Sequence, residues 1–165
     1  MRQGRVLHIE NDRFRYHASG SYADVFVSED RSRCWKVFRL QSASMRSSEV
    51  FDSEVKAYSL LSQYPALARH APTFFGTINC EARVTDDNIM DVSHEYFSNL
   101  MYQMEFCDLY FRKLGSFPFE KTASLRKQLS AIGIHHLSDA SIGFKNESGE
   151  CKLIDFAIHE IELWH

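Results

Sequence analysis

The stretch that decides the fold is residues 18–38, ASGSYADVFVSEDRSRCWKVF. Small residues open it, and two runs rich in Val, Phe and Trp follow, at 24–28 and 34–40. Such runs are typical of β-strands, and the polar residues 29–32 between them indicate a tight turn. The sequence therefore predicts an antiparallel hairpin that begins just after a loop of small residues.

The loop and the second strand of this hairpin carry features that suit an anionic ligand. Ala18, Gly20 and Ala23 are small, which lets backbone N–H groups approach a phosphate chain closely. Val25 follows them on the first strand. Lys36 lies among apolar residues of the second strand, where an ammonium group is costly unless it meets anions.

A helix is predicted over 49–63, because apolar residues recur at spacings of three and four between Phe51 and Leu61. Pro65 stands where the helix should stop. Glu54 lies on or beside the apolar stripe, and a carboxylate placed there needs a partner.

The rest of the chain predicts further strands and one more helix, which makes an α+β protein. Residues 84–95 read as an acidic loop, and a second helix is predicted over 120–132. Asp155 follows an apolar strand, at a strand end where metal-binding carboxylates often sit. Further strands are predicted at 6–9, 14–16, 73–80 and 100–107, and a last hairpin at 142–145 and 151–156 with its turn at 146–149.

Composition argues against several classes of protein, namely nucleic-acid-binding, membrane-spanning, secreted and zinc-binding proteins. The chain has 165 residues, mixed charges and a net charge of −3, without the basic stripe that nucleic-acid binding requires. No apolar run reaches the ~18 residues of a membrane span, and the first twenty residues lack a secretory signal. The four cysteines form no C-x-x-C pair, which favours reduced thiols in the cytoplasm over disulfides or a zinc site.

Taken in order, these features resemble the motif set of the protein-kinase-like superfamily. Ala18, Gly20 and Ala23 stand where the family has the glycines of G-x-G-x-x-G, and Val25 follows them. Lys36 matches the lysine of V-A-I-K, which holds the α- and β-phosphates in the family.

The resemblance extends over roughly residues 14–158. Glu54 matches the helix glutamate that pairs with the lysine. Residues 104–108, MEFCD, look like the hinge, where the backbone around Glu105 and Cys107 would take the adenine. Asp155 and the two residues after it, DFA, look like D-F-G, which implies that Asp155 binds Mg²⁺.

The catalytic loop departs from the family pattern H-R-D-x-x-x-x-N. Aligning the strand that begins at Ser141 puts His136 at the catalytic aspartate and Ser141 at the magnesium-binding asparagine. An ungapped alignment from His135 puts Leu137 at the aspartate instead. Asp139 lies close enough along the chain to substitute as the base after a loop shift.

The resemblance implies a two-lobed architecture with ATP and Mg²⁺ as cofactors. The N-lobe, 1–108, would be an antiparallel sheet with one helix, and 109–165 would be a strongly truncated C-lobe. The sequence ends ten residues after Asp155, so no activation segment or A-P-E motif is expected. Some bacterial effector kinases are similarly reduced.

The resemblance implies a small ATP-dependent kinase that phosphorylates Ser or Thr hydroxyls of a protein. Lys36, Asp155, Asp139 and His136 are its candidate catalytic residues. One alternative is a pseudokinase that binds nucleotide or a protein partner without phosphoryl transfer. A small-molecule kinase related to the aminoglycoside phosphotransferases is less favoured, because a helical lobe for its substrate is missing. The expected location is the cytoplasm, or a host cell that receives the protein without a cleavable signal peptide.

Overall fold

The computed structural model of the chain describes residues 2–40, 44–144 and 151–158. The chain forms two compact units, the first made of residues up to Phe51 together with Phe75–Phe106. The second unit is made of Asp52–Phe74 and the residues from Cys107 onward. The predicted lobe boundary after residue 108 remains a prediction.

Two antiparallel sheets and three helices give the α+β fold that the sequence predicts. The protein-kinase-like part of that prediction stays a prediction. The helices are α1 (Ser44–Leu61), α2 (Pro65–Ala68) and α3 (Phe119–Ala131). The strands are β1 (Val6–Ile9), β2 (Asp12–Ser19), β3 (Ala23–Ser28), β4 (Arg33–Arg39), β5 (Phe74–Thr77), β6 (Ala82–Thr85), β7 (Tyr96–Glu105), β8 (Phe111–Lys113), β9 (Ser141–Phe144) and β10 (Cys151–Ile154).

The first unit is built on a seven-stranded sheet with the order β5-β7-β4-β3-β2-β1-β6. Successive residues of a strand point to opposite faces, so each face collects every second side chain. One face carries a large hydrophobic core, and burying it supplies most of the favourable free energy of folding for this unit. This core consists of Leu7, Ile9, Phe14, Phe26, Trp35, Val37, Val84, Tyr96 and Met101.

The β3–β4 hairpin has the predicted turn, and Asp30 organises it. The Asp30 carboxylate accepts hydrogen bonds from the Ser28 hydroxyl at 2.6 Å and from the Ser32 hydroxyl at 2.7 Å. These bonds, with the Ser32 backbone N–H, lower the pKa of Asp30 to about 2. The turn therefore keeps its carboxylate charged well below neutral pH.

The predicted loop at 84–95 was wrong at its start, because β6 ends at Thr85 and pairs antiparallel with β1. Only two residues of this strand, Ala82 and Val84, are apolar, so its sequence gives a weak strand signal. Beyond it the chain makes a compact tip. There, the Asp86 carboxylate accepts the backbone N–H groups of Asn88 at 2.9 Å and Met90 at 2.8 Å.

We expect Ile89→Asn to stabilise the protein by about 1 kcal/mol, since Ile89 has a φ of 65° and its side chain is 80% exposed. A β-branched residue is strained in this left-handed conformation, which Asn tolerates, and little apolar burial is lost. Met90→Asn in the same tip is the control, because Met90 is also exposed, and should stay within about 0.5 kcal/mol. Urea denaturation measures the stability of both variants. Equal changes in the two would contradict the backbone strain inferred at Ile89.

The second unit contains the sheet β10-β9-β8, together with α2, α3 and the later turns of α1. Strand β8 was not predicted, because Phe111 is the one apolar residue among its three. Gly143 on β9 lies so close to β8 that a Cβ would come within 2.9 Å of the Phe111 ring. The hydrophobic core of the second unit includes Tyr58, Leu114, Leu129, Ile134, Leu153 and Phe156.

The two long helices were predicted with shifted ends. The helix predicted over 49–63 begins at Ser44 and ends at Leu61, and the one predicted over 120–132 spans Phe119–Ala131. The predicted turn at 146–149 lies outside the described residues. Within the described chain, no helix is both long and apolar enough to cross a membrane.

Candidate functional site

Three residues predicted to bind a ligand stand in one row across the first sheet. Val25 on β3 lies directly opposite Ala18 on β2 and opposite Lys36 on β4. Residues paired in this way share a face of the sheet, and the row continues to Tyr102 on β7. A register shift between Tyr16 and Ala18 on β2 marks a bulge just before the loop, so this strand bends there.

The loop between β2 and β3 is held from the opposite face by a buried ionic network. Asp24 at the start of β3 is 0% exposed. Its carboxylate accepts hydrogen bonds from Ser19 at 2.6 Å and from the Tyr96 hydroxyl at 2.7 Å, and it pairs with the Arg39 guanidinium. Arg5 donates to the same Tyr96 hydroxyl at 2.7 Å. The carboxylate, the hydroxyl and the terminal guanidinium nitrogens thus have partners, which lowers the cost of burying these charges, while the Nε atoms of Arg5 and Arg39 are buried without a hydrogen bond to any described residue.

Arg39 connects this network to the backbone of the loop. Its second guanidinium nitrogen donates to the carbonyl oxygens of Gly20 at 2.8 Å and Ser21 at 3.0 Å. In a trans peptide the C=O and the following N–H point in opposite directions. The N–H groups of Ser21 and Tyr22 therefore point away from the guanidinium. Two successive N–H groups oriented alike can receive an anion.

The sequence reading missed Asp24 and Arg39 as parts of the site. The sequence shows only that each is a charged residue at the end of a strand rich in Val, Phe and Trp. Such charges need partners once the strands are buried, but the partners come from residues far along the chain. Burial, together with the hydrogen bond to Asp24, raises the pKa of Tyr96, so this hydroxyl stays protonated at any ordinary pH.

Lys36 and Glu54, predicted as a charged pair, each lie on a different unit, and each is at least half-buried. Lys36 is half-buried, and its ammonium nitrogen stands 5.8 Å from the centre of the Phe38 ring and 6.0 Å from that of Tyr102. Glu54 on α1 is only 8% exposed. The lysine belongs to the first unit and the glutamate to the second.

The predicted hinge residues stand at the end of β7 and just beyond it. The Glu105 carbonyl accepts a weak bond from the Cys34 thiol, with sulfur and oxygen 3.9 Å apart. The Phe106 N–H donates to the carbonyl of Ser32 at 2.9 Å. The Cys107 carbonyl accepts the Leu109 N–H, also at 2.9 Å.

In the second unit, Asp155 lies at the end of β10 in a left-handed conformation, with a φ of 59°. Asp adopts this conformation more readily than most residues, because its short polar side chain can hydrogen-bond locally. The next residue, Phe156, is firmly packed: its side chain is 0% exposed and its ring centre lies 4.5 Å from that of Tyr58. Phe156 therefore anchors the segment, and Asp155 stays half-buried beside it.

The segment predicted as a catalytic loop lies beside Asp155. His136 and Ala157 exchange two backbone hydrogen bonds, each of 3.1 Å. The His136 Nε2 atom stands 3.5 Å from the Asp139 carboxylate, and its Nδ1 atom stands 3.3 Å from the Ser138 hydroxyl. The Asp139 side chain is 76% exposed, so it can reach a substrate from solvent. The structure thus brings His136, Asp139 and Asp155 into one region.

Ser141 was predicted as a magnesium ligand and stands next to Asp155 in the strand register. It is buried and pairs with Ile154, the residue before Asp155. In the described part of the chain, no three His, Cys, Asp or Glu residues cluster to hold a metal. Mg²⁺ is commonly bound by one or two carboxylates, with waters and substrate phosphates as its other ligands, so the Asp155 carboxylate could serve only a metal that arrives with those ligands.

Comparison with known proteins identifies no relative. No protein-family model matches the chain, and no curated protein or solved structure matches it.

Proposed function

We propose that the chain is a small kinase-like phosphotransferase that uses ATP and Mg²⁺ and acts on Ser or Thr hydroxyls of a protein. The observation that carries this proposal is the placement of Asp155. It lies in a left-handed backbone conformation next to the buried Phe156, and the His136 segment is hydrogen-bonded to Ala157 alongside. In protein kinases the corresponding aspartate binds Mg²⁺, the phenylalanine after it packs into the core, and the catalytic loop lies nearby.

The arrangement of the first unit supports the same proposal. In protein kinases a Gly-rich loop covers the phosphates, and the lysine that holds them lies on the strand after the loop hairpin. Here the loop at Gly20 joins β2 to β3, and Lys36 lies on β4, opposite Val25. Glu54 then follows on α1 as a buried carboxylate. The family order of loop, lysine, helix glutamate and aspartate is therefore kept on elements of the expected types.

Each residue has a role in phosphoryl transfer that follows from its chemistry. The N–H groups of Ser21 and Tyr22 in the β2–β3 loop, and the Lys36 ammonium on β4, would bind phosphate oxygens, because all three are hydrogen-bond donors. Asp155 and Ser141 would hold Mg²⁺, which neutralises charge on the transferring phosphate when bound. Asp139 would orient the attacking hydroxyl, with His136 beside it. Positioning and charge neutralisation provide most of the catalysis in this chemistry, so a weak base suffices.

A pseudokinase is the second candidate, favoured by the chemistry of the catalytic loop. Neither alignment supplies the usual base: one puts His136 at that position, with Ser141 in place of an asparagine, and the other puts Leu137 there. The Asp139 backbone carbonyl accepts the Lys113 ammonium at 2.8 Å, which ties this loop to β8. A protein of this kind would bind ATP and engage a partner without transferring the phosphate.

Incubation of the purified chain with γ-labelled ATP and Mg²⁺ tests the proposal. We expect self-labelling or ADP formation that falls at least about 100-fold in Lys36→Ala and in Asp155→Ala, because each removes a charge from the transition state. Lys56→Ala and Asp52→Ala are the matched controls, since both residues are exposed on α1 and should leave the rate unchanged.

Thermal unfolding with and without ATP separates the two candidates. Saturation at 100 times the dissociation constant stabilises a protein by about 2.7 kcal/mol, which is readily seen as a rise in melting temperature. Stabilisation that depends on Lys36, with no transfer of label, identifies the pseudokinase. A melting temperature that neither ATP nor Mg²⁺ changes overturns both nucleotide-binding candidates.

A further inference from the structure

The tip that follows β6, residues 86–91, presents two large apolar side chains to solvent. Ile89 is 80% exposed and Met90 is 64% exposed. Three of the six residues are aspartates, and none of the six is a lysine or an arginine. We call this segment the acidic tip, because negative charges surround its exposed apolar end.

Hydrogen bonds hold the acidic tip in one conformation. The Asp86 N–H donates to the Met90 carbonyl at 3.0 Å, and the Val92 N–H donates to the Val84 carbonyl at 2.8 Å. The Asp86 carboxylate accepts two further N–H groups of the tip. Ile89 stands in this frame with a φ of 65°, which strains a β-branched residue. A loop that is already ordered loses little conformational entropy on binding, so this one is suited to insert Ile89 and Met90 into another surface.

The second unit contains a cavity of about 540 Å³ beside helix α3, and the proposed phosphotransferase does not use it. We call this cavity the α3 groove. Sites of this volume hold small molecules, so two aliphatic side chains fit within it. Its apolar lining consists of Phe117, Leu125, Ile142 and Phe144. The Phe144 side chain is 48% exposed, so apolar surface is open to a ligand here.

Cations surround the α3 groove. Lys121 is one of its lining residues, and none of the described residues that line it is an aspartate or a glutamate. The Arg112 guanidinium stands 4.7 Å from the centre of the Phe117 ring. Arg126 Nε donates to the hydroxyl of Thr122, another lining residue, at 3.0 Å. The groove is thus apolar in its lining and positive at its margin, and it complements the acidic tip in both respects.

We propose that the α3 groove binds the acidic tip of a second copy of this chain, with Ile89 and Met90 in the groove and the aspartates facing its cations. Apolar burial would stabilise the contact, and the opposite charges would fix its orientation. A single loop covers less area than a standard protein interface, so the expected dissociation constant lies between about 1 μM and 1 mM. This proposal goes beyond the phosphotransferase and does not depend on nucleotide binding.

Sedimentation velocity of the purified chain tests the association itself. We expect the average mass to rise above that of a single chain as the protein concentration increases through this range. Added salt should weaken the association, because it screens exposed charges. A chain that is still monomeric at about 1 mM overturns the proposal.

Ile89→Asn separates association from folding. The substitution relieves the strained φ and should stabilise the fold, yet it should raise the dissociation constant by about 10- to 100-fold, because the apolar side chain no longer leaves water on binding. A weaker association in a more stable protein cannot result from unfolding. Phe75→Asn is the control, since Phe75 is 52% exposed but lies on β5, outside the tip, and should leave the dissociation constant unchanged. An Ile89→Asn chain that associates as strongly as the wild type overturns the proposal.

Lys121→Glu tests the groove. The substitution puts a negative charge in the first turn of α3, which is favourable for the helix, but this charge should repel the acidic tip. We expect the dissociation constant to rise at least about fivefold. Lys127→Glu is the matched control, because Lys127 is exposed on the same helix, gives the same change in net charge and is not a lining residue of the groove. Equal effects in the two variants would mean that net charge controls the association, which contradicts binding in the groove.

An exchange of charges identifies the two surfaces that meet. Asp87 is suitable because it is exposed, whereas Asp86 and Asp91 accept hydrogen bonds from backbone N–H groups. Asp87→Lys alone should weaken self-association, as Lys121→Glu alone does. A mixture of these two variants should associate like the wild type, since each tip then finds a groove of opposite charge on the other variant. A mixture that associates as weakly as the separate variants shows that the tip and the groove are not the contacting surfaces.

Discussion

Asp24→Asn is expected to destabilise the protein by about 3–5 kcal/mol, the usual cost of breaking a buried ion pair by neutralising one partner. The substitution keeps the shape of the side chain but removes its charge. Arg39, which is 6% exposed, would then keep a buried positive charge without a carboxylate. Since small proteins are stable by only about 5–15 kcal/mol, this loss is a large fraction of the total. Urea denaturation measures it as a lower midpoint with an unchanged slope.

Asp12→Asn is the matched control for this effect. Asp12 also pairs with an arginine, Arg33, but at 3.6 Å and with 61% of its side chain exposed. Exposed pairs contribute about 0–1 kcal/mol, so this variant should differ little from the wild type. If Asp24→Asn were no more destabilising than Asp12→Asn, the buried network would not stabilise the first unit.

The same substitution should also affect the loop before β3. Arg39 holds the carbonyls of Gly20 and Ser21 only while Asp24 keeps the guanidinium in place. Amide hydrogen exchange at 20–22 should therefore rise in Asp24→Asn, under conditions where the rest of the sheet remains protected. The loop N–H groups would lose the orientation that suits a phosphate, so we regard Asp24 and Arg39 as positioning residues.

Phe156→Ala is expected to cost about 3–5 kcal/mol, the range for truncating a fully buried aromatic side chain. The Phe156 ring is 0% exposed and contacts Tyr58, which in turn stacks on Phe74 with ring centres 5.7 Å apart. Truncation would leave a cavity among rings that cannot close around it. Loss of near-UV circular dichroism at lower denaturant concentration measures this effect, because the aromatic cluster gives that signal.

Phe119→Ala is the control for Phe156→Ala. It tests whether the loss of stability depends on the buried position of Phe156 or follows from truncating any phenylalanine. Phe119 is 68% exposed on α3, so its removal should change stability by about 0.5 kcal/mol or less. Similar losses in both variants would mean that Phe156 does not anchor Asp155. A large loss in Phe156→Ala alone supports the anchoring role.

The strands that carry the first unit could be predicted because their residues are both apolar and β-branched or aromatic. The predicted strand at 6–9 matches β1, and those at 24–28 and 34–40 match β3 and β4 to within one residue at each end. The helix over 49–63 was also found, because three turns of apolar residues give a period that a shorter element lacks. Strands β6 and β8 were missed because few of their residues are apolar: Ala82 and Val84 in β6, and Phe111 alone in β8.

Some residues of the candidate site could be predicted from the sequence, and others could not. Ala18, Val25 and Lys36 were identified by residue type and order, and their alignment in one row follows from strand pairing. Asp24 and Arg39 were missed, because nothing local shows that Asp24 receives Tyr96 from a strand 72 residues away.

Local chemistry alone determined the α+β class, the main hairpin and the order of the charged residues, since side-chain size, branching and polarity act between neighbours along the chain. Only the tertiary structure decided which charges are buried together and which loop carbonyls Arg39 holds. Burial removes water as a partner, so each buried polar group must find another within hydrogen-bonding distance. That choice depends on which distant residues folding brings near.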